Sequence, residues 1–207
     1  MEDWYKWVFS GVGVAVATAF ITFIKTKAKY FTGIRFLDRS QLDHEIGTVE
    51  ERLANATSSV WISGNDCKYT AETCSAHIDS LLKRGISVKF IVTEPTSETS
   101  KMLAISDPRF HTPEQFIESM TEVLKRFKDW KEQYPDYFDY HLLPILPSLG
   151  FFIVDSSSSD GLVKIEIYTS KDYKPVNSRP HLIISKRASK WREYFLQQWE
   201  NYWAMGS

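Results

Sequence analysis

Cysteine is nearly absent from this 207-residue chain, which has only Cys67 and Cys74. So few thiols exclude a disulfide-built scaffold and suit a reducing compartment, with a single Cys67–Cys74 bridge as the one alternative. Neither charge sign dominates, with 25 Lys plus Arg against 26 Asp plus Glu. No global field therefore draws the chain to nucleic acid, which is not the favoured partner, and any anion site has to be local. A glycine-rich phosphate loop, paired-cysteine metal spacing, a nucleophile elbow and a His-Glu-x-x-His helix are all missing. The five histidines, His44, His77, His111, His141 and His181, are scattered, so no metal and no other cofactor is expected. What is plentiful is aromatic, with 7 Trp, 10 Tyr and 13 Phe. That composition belongs to a folded domain rather than a disordered one.

Charge is also locally absent. From Val8 to Ile24 the run VFSGVGVAVATAFITFI holds no ionisable residue, about the shortest length that crosses a bilayer as a helix. Trp4, Tyr5 and Trp7 stand at one end as an interfacial belt, and Lys25, Lys27 and Lys29 follow the other, so the positive-inside rule puts the body of the chain in the cytoplasm. Residues 5–24 are expected to be a transmembrane helix, 25–35 a basic linker and 36–203 one soluble domain. A cleaved signal peptide is the competing reading, since Ala15-Val16-Ala17 and Ala17-Thr18-Ala19 are small enough for cleavage. Against it, the chain opens Met1-Glu2-Asp3, the apolar run continues past those sites, and the lysines come after it. Gly11, Ala15 and Ala19 form a small-residue stripe of the kind that packs spans together, so a homo-oligomer is expected.

Helical spacing of Leu42, Ile46, Val49 and Leu53 predicts one helix from Arg39 to Asn55. Ser58 to Ser63 reads as a buried strand closed by the Gly64-Asn65-Asp66 turn, Thr70 to Lys83 as a helix stopped by Gly85, and Ile86 to Thr93 as a second strand. Strand, helix, strand at this spacing is a βαβ unit with parallel strands. The Ser/Thr-rich stretch after Thr96 predicts irregular chain. Thr112-Pro113 then announces a long helix with Phe116, Met120, Val123, Leu124, Phe127 and Trp130 on its apolar face. Strands follow at 142–146, 149–155, 163–168 and 181–185, with a loop at 169–178, and a helix from Lys190 to Trp203 carries Trp191, Phe195, Trp199 and Tyr202 on one side. The Tyr-rich segment Tyr134 to Tyr140 reads as an exposed contact surface.

The pointed chemical segment is Ser178-Arg179-Pro180-His181, which brings a guanidinium and an imidazole to the start of a buried strand where both can meet a phosphate. The plainer reading pairs Arg179 with a surface carboxylate and lets His181 donate to a backbone carbonyl. On VEERLANATSSVWISG, HIDSLLKRGISVKFIVTEP and the closing REYFLQQWENYW, the chain resembles the phospholipase D superfamily over most of residues 36 to 203. It is closest to phospholipase D-like bacterial domains attached to membrane spans or DNA-binding modules. The resemblance implies an α/β fold, a mixed sheet flanked by helices, here preceded by one transmembrane helix. It also implies the signature His, one residue, Lys, four residues, Asp. Only His181 matches it, with Ile183 and Ala188 in the other two places.

Three functions follow from this reading. The first is a non-catalytic membrane sensor or effector, in signalling or defence, that binds a phosphate-containing ligand such as a nucleotide signal or lipid headgroup. Its expected ligand-binding residues are Asn65, Glu166, Tyr168, Arg179, His181 and Ser185. The second is a membrane-tethered, metal-independent phosphodiesterase working as a dimer, with His181 as nucleophile and Arg179 replacing the lost Lys. A third is a protein-interaction module using Tyr134 to Tyr140. Loss of the Lys removes electrostatic stabilisation that such catalysis needs, which favours binding.

Overall fold

The computed structural model describes residues 18–19, 33–158, 160–168 and 179–207. Apart from residues 18–19, the expected span at 5–24 lies outside the described residues, as do linker residues 25–32 and the loop at 169–178. Among the described residues no helix is long and apolar enough to cross a membrane.

The chain enters the sheet at β1 (Ile34–Leu37). Asp38 then caps α1 (Arg39–Ile46), its carboxylate accepting from the Gln41 N–H while Gln41 accepts from the Asp38 N–H. The sequence predicts one helix to Asn55, but the structure has two. Gly47 leaves α1 at φ 78°, a conformation glycine takes without strain. Thr48 and Glu51 then close a second capping box, which starts α2 (Val49–Ala54) and satisfies two otherwise orphaned N–H groups.

β2 (Ser59–Gly64), a π-helical turn (Tyr69–Thr73), α3 (Ser75–Lys83) and β3 (Ser87–Thr93) make the expected strand, helix, strand unit. The two strands are parallel, with Val60 opposite Val88. Where irregular chain is predicted, α4 (Ser97–Ser106) forms instead. Hydroxyls start this helix: Thr96 accepts from the Thr99 N–H, Thr99 accepts in return, and Leu103 is buried beneath them.

α5 (Pro113–Gln133) follows the predicted Thr112 cap and buries the predicted apolar face, with Leu124 partly buried. β4 (Phe138–Leu143) begins earlier than the strand expected at 142–146. Pro144 lacks the N–H to extend it, and Phe138 anchors it by packing among Phe90, Phe127 and Trp130. The Tyr134 to Tyr140 segment is therefore partly sheet, and only Tyr137 among its aromatic residues is exposed.

The last elements are β5 (Leu149–Val154), β6 (Leu162–Ile167), β7 (His181–Ile184) and α6 (Ser189–Met205). The seven strands form one mixed sheet in the order β1-β7-β6-β5-β2-β3-β4. β2, β3 and β4 run parallel, and every other pairing is antiparallel. Alternation along each strand splits the core into two layers. Val60, Phe90, Phe152 and Val154 pack with Leu81, Phe127 and Trp130, while Phe151, Ile153, Val163 and Ile165 pack with Trp199 of α6. Trp191, expected on that inward side of α6, is 54% exposed. Arg192 takes the inward place at that turn, donating to the carbonyls of Ser156, Ser158 and Gly161.

Candidate functional site

The directions of the strands bring the ends of β2 and β6 to the same edge of the sheet as the starts of β5 and β7. Register sets Glu166 opposite both Gly150 and His181. Polar side chains gather there because the edge is also where β2 gives way to the Asn65-Asp66 turn and α4 gives way to Asp107 and Arg109.

Asp107, 2% exposed, is the hub. It accepts from Asn65 Nδ2 at 3.1 Å and from Arg109 Nη2 at 2.8 Å, and pairs with Arg179 Nη2 at 3.4 Å. Arg109 Nη1 reaches Asp66 Oδ1 at 3.0 Å, and the Ser119 hydroxyl donates to the other Asp66 oxygen at 3.3 Å. Arg179 Nη1 donates to Glu166 Oε1 at 3.0 Å, and its guanidinium lies 5.1 Å from the centre of the Tyr168 ring. Two guanidinium groups thus meet three carboxylates.

Burial alone would raise the pKa of Asp107, but the hydrogen bonds and charge of Arg109, with Arg179 behind them, hold it at about 2. Burial opposes ionisation of Glu166 too. It is outweighed by His181, Lys164 and Arg179, which keep that carboxyl well below the usual carboxylate range. Burial, followed by the Glu166 charge, pushes the Tyr168 phenol up. Burial and then Asp66 do the same to the Cys67 thiol, which leaves it a poor nucleophile.

Four expected residues, Asn65, Glu166, Tyr168 and Arg179, are brought together here. The plainer reading of Arg179 as a surface pair is replaced by a buried network, since Arg179 is 5% exposed. His181 adjoins the network from below with no exposed surface. Its Nε2 lies 3.7 Å from Glu166 Oε2, and neither ring nitrogen has a hydrogen-bond partner. No backbone carbonyl accepts from it. Ser185 does not join, because β7 carries it to the other end of the strand. There it is exposed and its N–H donates to the Gly33 carbonyl.

Sequence reasoning missed Asp66, Asp107, Arg109, Lys164 and Gly150. Asp107-x-Arg109 sits in a stretch with no periodicity, so only the fold reveals it. Gly150 is part of the pocket floor, where an added Cβ would stand 2.5 Å from the Tyr168 hydroxyl. The pocket encloses about 140 Å³, room for one small polar group rather than a drug-sized ligand. Among the described residues no group of three or more His, Cys, Asp or Glu side chains is placed to hold a metal ion.

The sequence matches no protein-family model and no curated protein. Solved structures do share the fold. An archaeal chromatin protein, TrmBL2, whose structure shows a novel mode of DNA binding, is 13% identical with a TM-score of 0.51, covering 100% of this chain and 67% of its own. NucT from Helicobacter pylori is 14% identical with a TM-score of 0.50, covering 84% of this chain and 96% of its own. Phosphatidylserine synthase from Haemophilus influenzae is 12% identical with a TM-score of 0.53, covering 82% of this chain and 39% of its own. The mixed α/β sheet flanked by helices is thus a fold that these solved structures share.

Proposed function

We propose that this chain is a membrane-anchored, non-catalytic phospholipase D-like domain that binds a phosphate-bearing small ligand in the pocket between Gly64, Gly150 and Glu166. The observation that carries this reading is the burial of His181. With no exposed surface and Nε2 3.7 Å from Glu166 Oε2, it does not line the pocket and presents no ring nitrogen to a substrate there.

Beside the His181 match, the same signature spacing can be read as ending at Asp155, and it points the same way. Counting back from Asp155, the Lys place is Gly150 and the His place is Ser148. Asp155 accepts from the Thr57, Ser58 and Ser59 N–H groups and from the Thr57 and Ser58 hydroxyls. It is a clamp between β2 and β5, and the two chemical positions of the signature are empty of base and cation. Among similarly folded proteins one binds DNA and another is a phosphatidylserine synthase, and phosphate is their shared chemistry. The anchor at residues 5–24 rests on the uncharged run and its flanking lysines.

The test incubates the full chain in detergent micelles with nucleotides, cyclic nucleotides, short nucleic acids and phospholipid headgroups, and mass spectrometry scores what is retained and what is cleaved. A ligand retained unchanged, and lost in Gly150→Ala because Tyr168 is driven into the pocket, is the expected result. Cleavage that disappears in His181→Ala would overturn the reading in favour of the phosphodiesterase.

A further inference from the structure

Two populations of charge adjoin on the helix-covered face that holds the pocket. Toward α4 the cations are compensated: Arg109 and Arg179 each contact two carboxylates at 3.4 Å or less. An anion entering there has to displace Asp107 or Glu166. Toward α1 and α2 the situation is reversed. Arg39 and Lys164 line the same pocket, and neither has an ion pair with a carboxylate among the described residues. Arg52 lines a second pocket, with Glu51, Asp155 and Asp160, and approaches the first at Phe152. It is 8% exposed, and its Nε and Nη1 are buried with no acceptor. Arg52 Cζ and Lys164 Nζ lie 5.1 and 5.8 Å from the centre of the Phe152 ring, whose quadrupole offsets only part of the charge.

A buried guanidinium with unpaired donors is expensive, and two cations beside one ring repel one another, with the Arg39 charge adding to the repulsion on both. Asp43 and Glu50 offset part of the charge on Arg52 and Glu166 part of that on Lys164, and an anion among the three cations would offset the rest. We propose that Arg39, Arg52 and Lys164 form the seat of the ligand's phosphoryl group, and that three cations select a dianionic terminal phosphate over a monoanionic phosphodiester. This rests on the function proposed above and moves the phosphate away from Arg179, toward Lys164. The groups facing Lys164 agree with it. Burial lowers the pKa of Lys164 most, Glu166 on β6 offsets part, and Arg52 on α2 and Arg39 on α1 lower it further to about 8, with the Cys67 thiol beside them. An anion in the seat would reverse that repulsion.

The experiment titrates the full chain in detergent micelles with inorganic phosphate and with dimethyl phosphate at pH 7, by calorimetry, alongside Lys164→Met, Arg39→Met and Arg179→Gln. Inorganic phosphate should bind more tightly than dimethyl phosphate, and Lys164→Met and Arg39→Met should each lose about tenfold or more in affinity. Lys164→Met should at the same time raise the melting temperature of the unliganded protein, which loss of a structural contact would not do. Unchanged affinity in both methionine variants with loss in Arg179→Gln would overturn this seat and leave the proposed function standing. Equal binding of the two probes would overturn the dianion preference. Failure of inorganic phosphate to bind, while the wider panel retains some phosphate-bearing ligand, would also overturn the seat. A panel that retains nothing would sink the proposed function itself.

Discussion

Asp155 shows how much one residue holds. Its φ of 51° is a left-handed conformation that aspartate tolerates better than most residues. In that position its carboxylate receives three backbone and two hydroxyl donors at the start of β2. Burial opposes its ionisation, but the Ser59 and Ser58 N–H groups outweigh this and hold its pKa below the usual value. Removing the acceptor strands those donors at a half-buried strand end. Asp155→Ala should therefore destabilise the fold by about 2–4 kcal/mol, read by chemical denaturation, while Asp155→Asn keeps some acceptors and loses less.

Among the elements, α6 is the one whose loss would open a whole face of the sheet. Trp199 is 1% exposed, stacks on Trp61 with ring centres 5.8 Å apart and meets Phe151 edge-on at 6.2 Å. Trp199→Ala should destabilise by about 3–5 kcal/mol. Trp191→Ala, at an exposed position of the same helix, should stay within about 0.5 kcal/mol. A thermal melt of the two variants separates the faces of α6. Helical spacing alone gives both tryptophans the same role, and the inward turn of Arg192 to the β5–β6 loop carbonyls separates them. The split of the expected 39–55 helix and the formation of α4 have a similar cause. Local capping by Thr48, Glu51 and Thr96 decides where these helices start, and apolar periodicity does not register it.

Part of the molecule's acid sensitivity lies in the site, at Asp107 and Glu166, and part outside it, at Asp155. Asp107, Glu166 and Asp155 all have carboxyls held below their ordinary range. A depressed acid contributes stability that is present above the unfolded pKa, about 4, and lost as pH falls through the folded value. Stability should hold above about pH 5 and fall steeply between about pH 4 and pH 2, where Asp107 titrates at about 2. Asp107→Asn should make that slope shallower in a pH series of melts. The sequence by itself determined the strand, helix, strand unit, the long capped helix, the alternation of β6 and the uncharged run at the N-terminus, because each is written in spacing and composition over neighbouring residues. Of the six binding residues it suggested, Asn65, Glu166, Tyr168 and Arg179 line one pocket, His181 is buried beside it and Ser185 lies at the other end of β7. Only the tertiary structure decided what that site is. Asp66, Asp107 and Arg109 neutralise the cluster from distant parts of the chain, His181 is buried beside it, and Arg39 and Lys164 reach the same pocket from a helix and a strand. Burial and charge compensation depend on which surfaces the sheet order brings together, and no local pattern in the chain records that.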